Sequence, residues 1–341
     1  MRVAILAHEQ FPDRAKTAVG VLRYGDQKVV AVLDRATAGT TVGDHLPDVG
    51  ADDVPIVESI ADAPDFDALL IGIAPIGGGF DESWRSDVRA AIERGADVVS
   101  GLHYFLAEDE EFAALAADHG VELRDVRNPP EDLTVAEGIV RDLDVEVILT
   151  VGTDCSTGKM TATLELVEAA RAAGLNAGFV PTGQTGIMIE GSGIPIDRTI
   201  SDFTNGAVER LIRERADEHD YLFVEGQGSI VHPAYSTVTC GILHGAQPDH
   251  LVLCHEADRE VIHGYESYPV TDPSKLADLY VALAEPVAPT ELLGGSLNTY
   301  GLDADEAADA IAEYGGSIGA PAVDPVRDGA GAIVEQLVPD R

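Results

Sequence analysis

The chain has 341 residues, 45% of them hydrophobic, which is enough for substantial apolar cores and for two domains of ordinary size. Sixty acidic residues against 22 basic ones give a formal net charge of −38, which argues against a nucleic-acid partner. The acidic residues are spread along the chain, a pattern typical of a protein in a salty cytoplasm, where ions screen the repulsion. We expect a cytoplasmic protein with no membrane partner, because the apolar run at residues 1–7 is too short for a signal peptide.

Strand and helix patterns alternate in the first part of the chain. Short β-rich runs predict strands at 2–7, 28–33, 54–57, 67–75 and 97–100, and helical spacing predicts helices at 82–94 and 108–119. These lengths predict a Rossmann-like parallel sheet domain over residues 1–135 that ends near a linker at 128–131. Gly77–Gly79 lacks a G-x-G-x-x-G pattern with a later acidic residue, so a dinucleotide site and a plain loop both stay open. We expect Gly77–Gly79 or His103 to border the ligand site.

The second part of the chain begins again with a strand. Strands are predicted at 145–151, 176–180, 221–225 and 251–254, and helices from the turn at 152–158 to about residue 173, up to residue 215, and over 303–314. The order predicts a P-loop NTPase-like, doubly wound C-terminal domain over residues 140–341. Residues 181–186 are small or carry amides and predict a loop that approaches a ligand.

The strongest functional signal lies between the first strand of this domain and the helix that follows. The segment consists of Gly152, Thr153, Asp154, Cys155, Ser156, Thr157, Gly158, Lys159, Met160 and Thr161. Such a turn gathers backbone N–H groups at a helix start, and a lysine ammonium completes a phosphate-binding cradle. Thr153 replaces the first glycine of the usual G-x-x-x-x-G-K-[ST] pattern, and Met160 replaces the hydroxyl that binds magnesium. Thr161 is one residue late and points about 100° away, so phosphate binding is better supported than metal-assisted hydrolysis.

Two further residues are candidates for the chemistry. Glu225 ends an apolar strand and is followed by glycines, which suits a magnesium ligand or a catalytic base, and the alternative is a glutamate that faces water. His232 suits a general base, and the alternative is a structural histidine. Cys155, Cys240 and Cys254 lie far apart and support neither a disulfide framework nor a zinc knuckle.

Candidate substrate residues follow the second strand of this domain, and a candidate nucleotide residue lies in its last third. The substrate candidates are Gln184, Thr185, Asp197, Arg198 and Asp202. Among them, Arg198 suits a substrate carboxylate because a guanidinium can bind both carboxylate oxygens. Asn298 would read the adenine edge if the ligand is ATP.

Several of these motifs resemble known families. A distant resemblance links four segments to dethiobiotin synthetase and its P-loop relatives, which place a strand-end glutamate on magnesium. The segments are Gly152–Asp154, Gly158–Lys159, Gln184–Gly186 and Val224–Gly228. Nearly the whole chain resembles the DgcN-like family, long described as a domain of unknown function, with a Rossmann-like domain joined to a P-loop domain. The run Val151–Thr161, including the methionine after the lysine, looks like that family's loop. The resemblance implies an N-acetyltransferase that acts on D-glutamate or a similar amino acid with acetyl-CoA.

Three functions remain open from the sequence. In the transferase, the loop and Lys159 hold the phosphates of acetyl-CoA, and Glu225 or His232 deprotonates the substrate amine. In an ATP-dependent ligase of the dethiobiotin synthetase type, Thr161 and Glu225 contact Mg²⁺. The third is a nucleotide-binding protein without turnover. The sequence leaves the oligomeric state open, a homo-oligomer included.

Overall fold

The computed structural model describes residues 1–47, 49–73, 75 and 78–338. The chain forms two compact units: the first contains Met1–Pro129 and Gln184–Arg198, and the second contains Pro130–Gly183 and the described residues from Thr199 onward. The predicted pair of α/β domains with parallel sheets is confirmed. The predicted linear division into 1–135 and 140–341 does not provide for the segment Gln184–Arg198, which leaves the second unit and packs with the first.

The first unit contains a parallel sheet, and its described residues give the strand order β3-β2-β1-β4-β5-β6. The strands are β1 (Arg2–Leu6), β2 (Lys28–Leu33), β3 (Ile56–Val57), β4 (Ala68–Ile71), β5 (Asp97–Ser100) and β6 (Leu123–Asp125). Helices α1 (Lys16–Tyr24), α2 (Arg85–Glu93) and α3 (Glu110–His119) lie between strands. β4 and all of β1 except its first residue, Arg2, are apolar and buried, as expected for central parallel strands covered on both faces. The order is that of a Rossmann sheet.

The second unit contains another parallel sheet, in which β7 (Glu146–Gly152) lies between two neighbouring strands. Its described residues give the order β14-β13-β10-β7-β9-β8. The other strands of the sheet are β8 (Ala177–Val180), β9 (Tyr221–Val224), β10 (His250–Glu256), β13 (Glu291–Asn298) and β14 (Ala322–Val323). β11 (Val261–Ile262) and β12 (Tyr265–Pro269) form a separate antiparallel pair.

Helices follow most of these strands. They are α4 (Lys159–Ala172), α5 (Gln184–Glu190), α6 (Thr204–Ala216), α7 (Ser236–Ala246), α8 (Pro273–Ala284), α9 (Ala304–Ile318) and α10 (Gly331–Val334), of which α5 belongs to the first unit. The prediction of a loop over 181–186 is wrong in its second half, because α5 begins at Gln184. The run Thr185–Ile189 is buried, so packing stabilises this helix despite the glycine at its third position.

Helices long and apolar enough to cross a lipid bilayer are absent from the described residues.

The excess of acidic residues predicts a stability that depends on salt. With 60 acidic and 22 basic residues, repulsion within the folded chain is strong at low ionic strength and is screened as salt rises. We expect the free energy of unfolding, measured by urea titration, to increase steadily with KCl concentration. Sucrose at matched osmolality controls for exclusion from the protein surface. A free energy of unfolding that is constant or falls with added KCl would contradict this expectation.

Candidate anion-binding site of the second unit

The loop of residues 153–158 joins the carboxyl end of β7 to the start of α4. Ser156 and Gly158 have φ angles of 56° and 90°, so the backbone turns sharply before the helix. α4 begins without a hydrogen bond from a capping side chain, whereas the carboxylate of Asp303 caps α9. The first N–H groups of a 14-residue helix are therefore left to other partners, which is the basis of anion binding at helix starts.

Lys159 folds back over this loop. Its Nζ donates to the backbone carbonyl of Asp154 at 2.7 Å and to the hydroxyl of Thr157 at 3.4 Å, and the residue is only 7% exposed. Gly152 makes room for the ammonium, because a Cβ at this position would lie 2.7 Å from Lys159 Nζ. The loop thus holds a buried ammonium group within the segment that the sequence predicts as a phosphate-binding cradle.

The Asp154 carboxylate is fully buried inside the same loop. It accepts hydrogen bonds from the Cys155 N–H at 2.6 Å, from Arg259 Nη1 at 3.0 Å and from the His263 N–H at 2.7 Å. Arg259 also donates to the Cys155 carbonyl at 2.9 Å and pairs with Glu256. Arg259 therefore clamps the loop from the segment that follows β10.

Arg259 was not among the predicted site residues. The signal available in the sequence is weak: an arginine follows the strand predicted at 251–254, in a chain with only 22 basic residues. Its role comes from strand order, because β10 is the neighbour of β7 and the carboxyl ends of neighbouring parallel strands share one edge of the sheet.

His232 lies beside the loop with its ring held in one orientation. Its Nδ1 accepts hydrogen bonds from the N–H groups of Ala234 and Tyr235 at 3.0 and 3.2 Å, which assigns the ring proton to Nε2. Nε2 lies 3.7 Å from Asp154 Oδ1, is buried and has no hydrogen-bond partner among the described residues. Burial lowers the pKa of His232, which favours the neutral ring. His232 thus presents a buried N–H donor that no described residue accepts from.

This tautomer bears on two interpretations. A general base must accept a proton at Nε2, but that atom already carries one, so the hydrogen bonding argues against the base role predicted for His232. Asp154, Cys155 and His232 are the cluster of potential metal ligands found in the described residues, with ligand atoms within 4.8 Å of one another. A protonated Nε2 has no lone pair for a metal, so we assign no metal to this cluster.

Glu225 is buried, at 6% exposure, and does not face water. Its Oε2 accepts hydrogen bonds from the N–H groups of Thr182 and Gly183 at 3.1 and 3.0 Å, which fixes the turn after β8. Gly226 follows it and lies against the loop lysine, since a Cβ there would be 3.5 Å from Lys159 Cδ and 1.7 Å from the Thr150 carbonyl. Glu225 therefore has a structural task, and its role as a base or magnesium ligand stays a prediction.

Met160 occupies the position where the loop pattern places a hydroxyl, and Thr161 follows it. Met160 is buried, at 6% exposure, and Thr161 is half-buried on the next position of α4. The position that normally supplies the metal-binding hydroxyl is thus occupied by a packed thioether. The role of Thr161 as a metal ligand stays a prediction.

Tyr280, from α8, ties the loop to the turn beyond β9. Its hydroxyl donates to the Gly152 carbonyl at 2.8 Å and accepts from the Ile230 N–H at 3.1 Å. Burial raises the pKa of Tyr280 to about 12. A tyrosine in a helix distant in sequence gives no local signal, so this positioning residue could not be predicted from a motif.

The remaining predicted residues are divided between the two units. Gln184, Thr185, Asp197 and Arg198 belong to the first unit, and Asp202 is exposed in a short 3₁₀ turn of the second. Asn298 ends β13, where its side-chain oxygen accepts from the Tyr300 N–H at 3.0 Å, and a contact with adenine stays a prediction.

The described residues around the glycine-rich segment of the first unit offer no support for the dinucleotide interpretation. Gly77 lies outside the described residues, and Gly78 accepts hydrogen bonds from the N–H groups of His103 and Tyr104. Asp34, at the end of β2, is fully buried and accepts hydrogen bonds from Glu9 and Thr37. The acid at the position that binds ribose in dinucleotide folds is thus engaged within the chain.

His255, which contacts the loop, predicts a pH dependence of the free energy of unfolding. Its Nδ1 lies 2.8 Å from the Thr153 hydroxyl, and burial, with Arg259 nearby, lowers the pKa of His255 to about 4. The unfolded chain takes up this proton near pH 6.5, so stability from this group is complete above that pH and falls as pH drops toward 4. We expect the loss to be about 2 kcal/mol at pH 5. Urea titrations of the parent and of His255→Asn at pH 7 and 5 measure it, and equal pH dependence in the two proteins would refute it.

Together, these features define a two-unit α/β protein whose second unit presents a loop of the P-loop type between β7 and α4. A family model described as "Domain of unknown function (DUF1611_C) P-loop domain" matches residues 134–334, and its Rossmann-like N-terminal partner, DUF1611_N, matches residues 35–129. The chain belongs to the DUF1611 family. The predicted Rossmann-like and P-loop domains are confirmed.

Two relatives with the same name match most of the chain. It is 37% identical over 324 residues to a D-glutamate N-acetyltransferase of Tritonibacter scottomollicae, and the match covers 95% of this chain and 94% of the relative. It is 38% identical over 272 residues to a D-glutamate N-acetyltransferase of a Pseudoalteromonas species, and this match covers 79% of the chain and 80% of the relative. The crystal structure of a DUF1611 family protein from Anabaena variabilis ATCC 29413 is similar, with a TM-score of 0.92, 38% identity and 98% of each chain covered.

Proposed function

We propose that the protein is an N-acetyltransferase that moves the acetyl group of acetyl-CoA to the amine of D-glutamate. The observation that carries this proposal is the similarity to two relatives of that name at 37% and 38% identity, over 95% and 79% of this chain. Sequence similarity of this extent supports the same class of reaction, and the chemistry of the loop bears on the donor.

The loop suits the donor's phosphates. Coenzyme A carries a pyrophosphate and a ribose phosphate, and the second unit offers the Lys159 ammonium, the uncapped start of α4 and the Nε2–H of His232. Met160 replaces the hydroxyl that would hold magnesium for nucleotide hydrolysis. An anion cradle of this kind can bind a phosphate-bearing molecule that is not hydrolysed.

The reaction has a simple balance. The uncharged amine nitrogen of the acceptor attacks the thioester carbonyl, the C–N bond forms, and the C–S bond breaks. The nitrogen loses a proton and the leaving thiolate gains one, so the products are an N-acetylated amino acid and free coenzyme A. In this scheme Lys159 and His232 act by holding the donor.

One incubation distinguishes the candidate functions. Purified protein in strong KCl receives D-glutamate with either acetyl-CoA or ATP and Mg²⁺, and mass spectrometry follows both cosubstrates and the products. We expect N-acetylglutamate and free coenzyme A from acetyl-CoA, with ATP unchanged. Consumption of ATP alone would favour the ligase. Stabilisation by either cosubstrate without product would favour a binding protein, and both results would overturn the transferase.

A further inference from the structure

We propose that the first unit contains a binding site for an acidic amino acid, built from Arg127, Asp197, Arg198 and His103. The identity of this ligand as the acetyl acceptor rests on the proposed function, whereas the site itself follows from the charges and contacts described below.

The residues meet at the carboxyl edge of the first sheet. His103 follows β5 and Arg127 follows β6, and the carbonyl of Gly78 accepts hydrogen bonds from the N–H groups of His103 and Tyr104. Ligands of open α/β sheets bind at this edge. The turn Ile196–Arg198 belongs to the same unit and adds the carboxylate of Asp197 and the guanidinium of Arg198.

Arg127 and Asp197 form a largely buried ion pair. Arg127 is 8% exposed, and its guanidinium donates to the Gly101 carbonyl at 2.6 Å and to Asp197 Oδ2. His103 Nε2 lies 4.0 Å from the same carboxylate oxygen. The other oxygen, Asp197 Oδ1, is buried and has no hydrogen-bond partner among the described residues. A buried acceptor without a donor is costly, so a ligand that supplies an N–H there would be stabilised.

Arg198 supplies a second cation. Its guanidinium lies 4.8 Å from the centre of the Phe105 ring, and the residue is exposed. Burial lowers the pKa of His103, which favours a neutral ring, so the cluster has two guanidinium groups and one carboxylate. A local excess of positive charge is unusual in a chain with a net charge of −38, and it favours an anionic ligand.

The arrangement matches the groups of an acidic amino acid. An ammonium can donate to Asp197 Oδ1, and two carboxylates can bind the guanidinium groups of Arg127 and Arg198. A dicarboxylate without an amine would leave Asp197 Oδ1 unpaired. An amino acid with an apolar side chain would supply a carboxylate to only one of the two guanidinium groups.

Equilibrium binding in the absence of any acetyl donor tests the site. The panel is D- and L-glutamate, D- and L-aspartate, and glutarate, measured by calorimetry. We expect at least one amino acid to bind and Arg198→Gln to weaken it about tenfold or more. Arg94→Gln is the matched control, because Arg94 lies 6.0 Å from the Phe66 ring in the same unit and is outside this cluster. We expect it to bind as the parent does.

Asp197→Asn tests the amine contact. We expect it to weaken the amino acid by about tenfold and to leave the weaker binding of glutarate unchanged. Thermal unfolding is followed in parallel, because Arg127 loses its charged partner in this variant, and Arg198→Gln decides the matter if the variant unfolds. The site is refuted if no member of the panel binds the parent, or if Arg198→Gln binds like Arg94→Gln. Binding as expected without acetylation would instead refute the proposed function alone.

Discussion

A Lys159→Met protein is expected to lose most of its affinity for coenzyme A and acetyl-CoA. The side chain keeps a similar length, but the buried ammonium at the centre of the loop is removed. Hydrogen bonds to charged groups contribute about 1.5–3 kcal/mol, so the dissociation constant should rise about 10- to 100-fold. Calorimetric titration of both proteins with coenzyme A in strong KCl measures the change.

Lys275→Met is the matched control for this substitution. Lys275 is an exposed residue of α8, so its replacement removes the same charge from the chain without touching the loop. Its affinity for coenzyme A should equal that of the parent. If Lys159→Met also binds as tightly as the parent, the phosphate-binding role of the loop is wrong, and the proposed donor site with it.

Gly152→Ala should disable the same loop by steric means. A Cβ would lie 2.7 Å from Lys159 Nζ and 2.9 Å from the Asp154 carbonyl, closer than non-bonded atoms tolerate. The ammonium and the loop must shift, at a cost of about 1–3 kcal/mol in the free energy of unfolding. We also expect coenzyme A to bind at least about tenfold more weakly. Urea titration and calorimetry measure the two effects.

Gly316→Ala provides the comparison. Gly316 lies within α9, and a Cβ there would meet no atom within 4 Å. Alanine stabilises a helix interior relative to glycine by roughly 0.5–1 kcal/mol, so this variant should be as stable as the parent or more so and bind normally. A Gly152→Ala protein with the stability and affinity of the parent would show that the described packing of Lys159 is incorrect.

The phosphate loop and the sheet class were predictable because they are local in sequence. The apolar run before Gly152 forms β7, and the glycine and lysine that follow stand at a helix start, so neighbouring residues carry the whole signal. Helices α3 and α9 were found for a similar reason, since each has an aspartate at its start; Gly120 also marks the end of α3, whereas α9 continues past the predicted end at residue 314 to Ile318. α1 was missed: it contains Gly20 and has no side-chain cap.

The rest of the site depends on contacts between distant residues. Arg259 reaches Asp154 across 105 positions, and Tyr280 reaches Gly152 across 128. Such partners are chosen by strand order and helix packing, which a single sequence does not display. The assignment of Asp197 and Arg198 to the loop's unit failed likewise, because the chain crosses to the other unit between Gln184 and Arg198.

The hydrogen bonds between Lys159 and Asp154 affect how strongly the loop can bind an anion. The ammonium already rests on the loop's own carbonyl and hydroxyl oxygens, so an arriving anion exchanges one set of acceptors for another and gains only the difference. Chloride, with a single diffuse charge, gains little from that exchange. In the proposed complex, a pyrophosphate would present several oxygens at once to the helix start and to His232, and this larger set of contacts would displace the internal ones. The internal hydrogen bonds of the loop would therefore make it selective for polyphosphates over chloride, even where chloride is abundant.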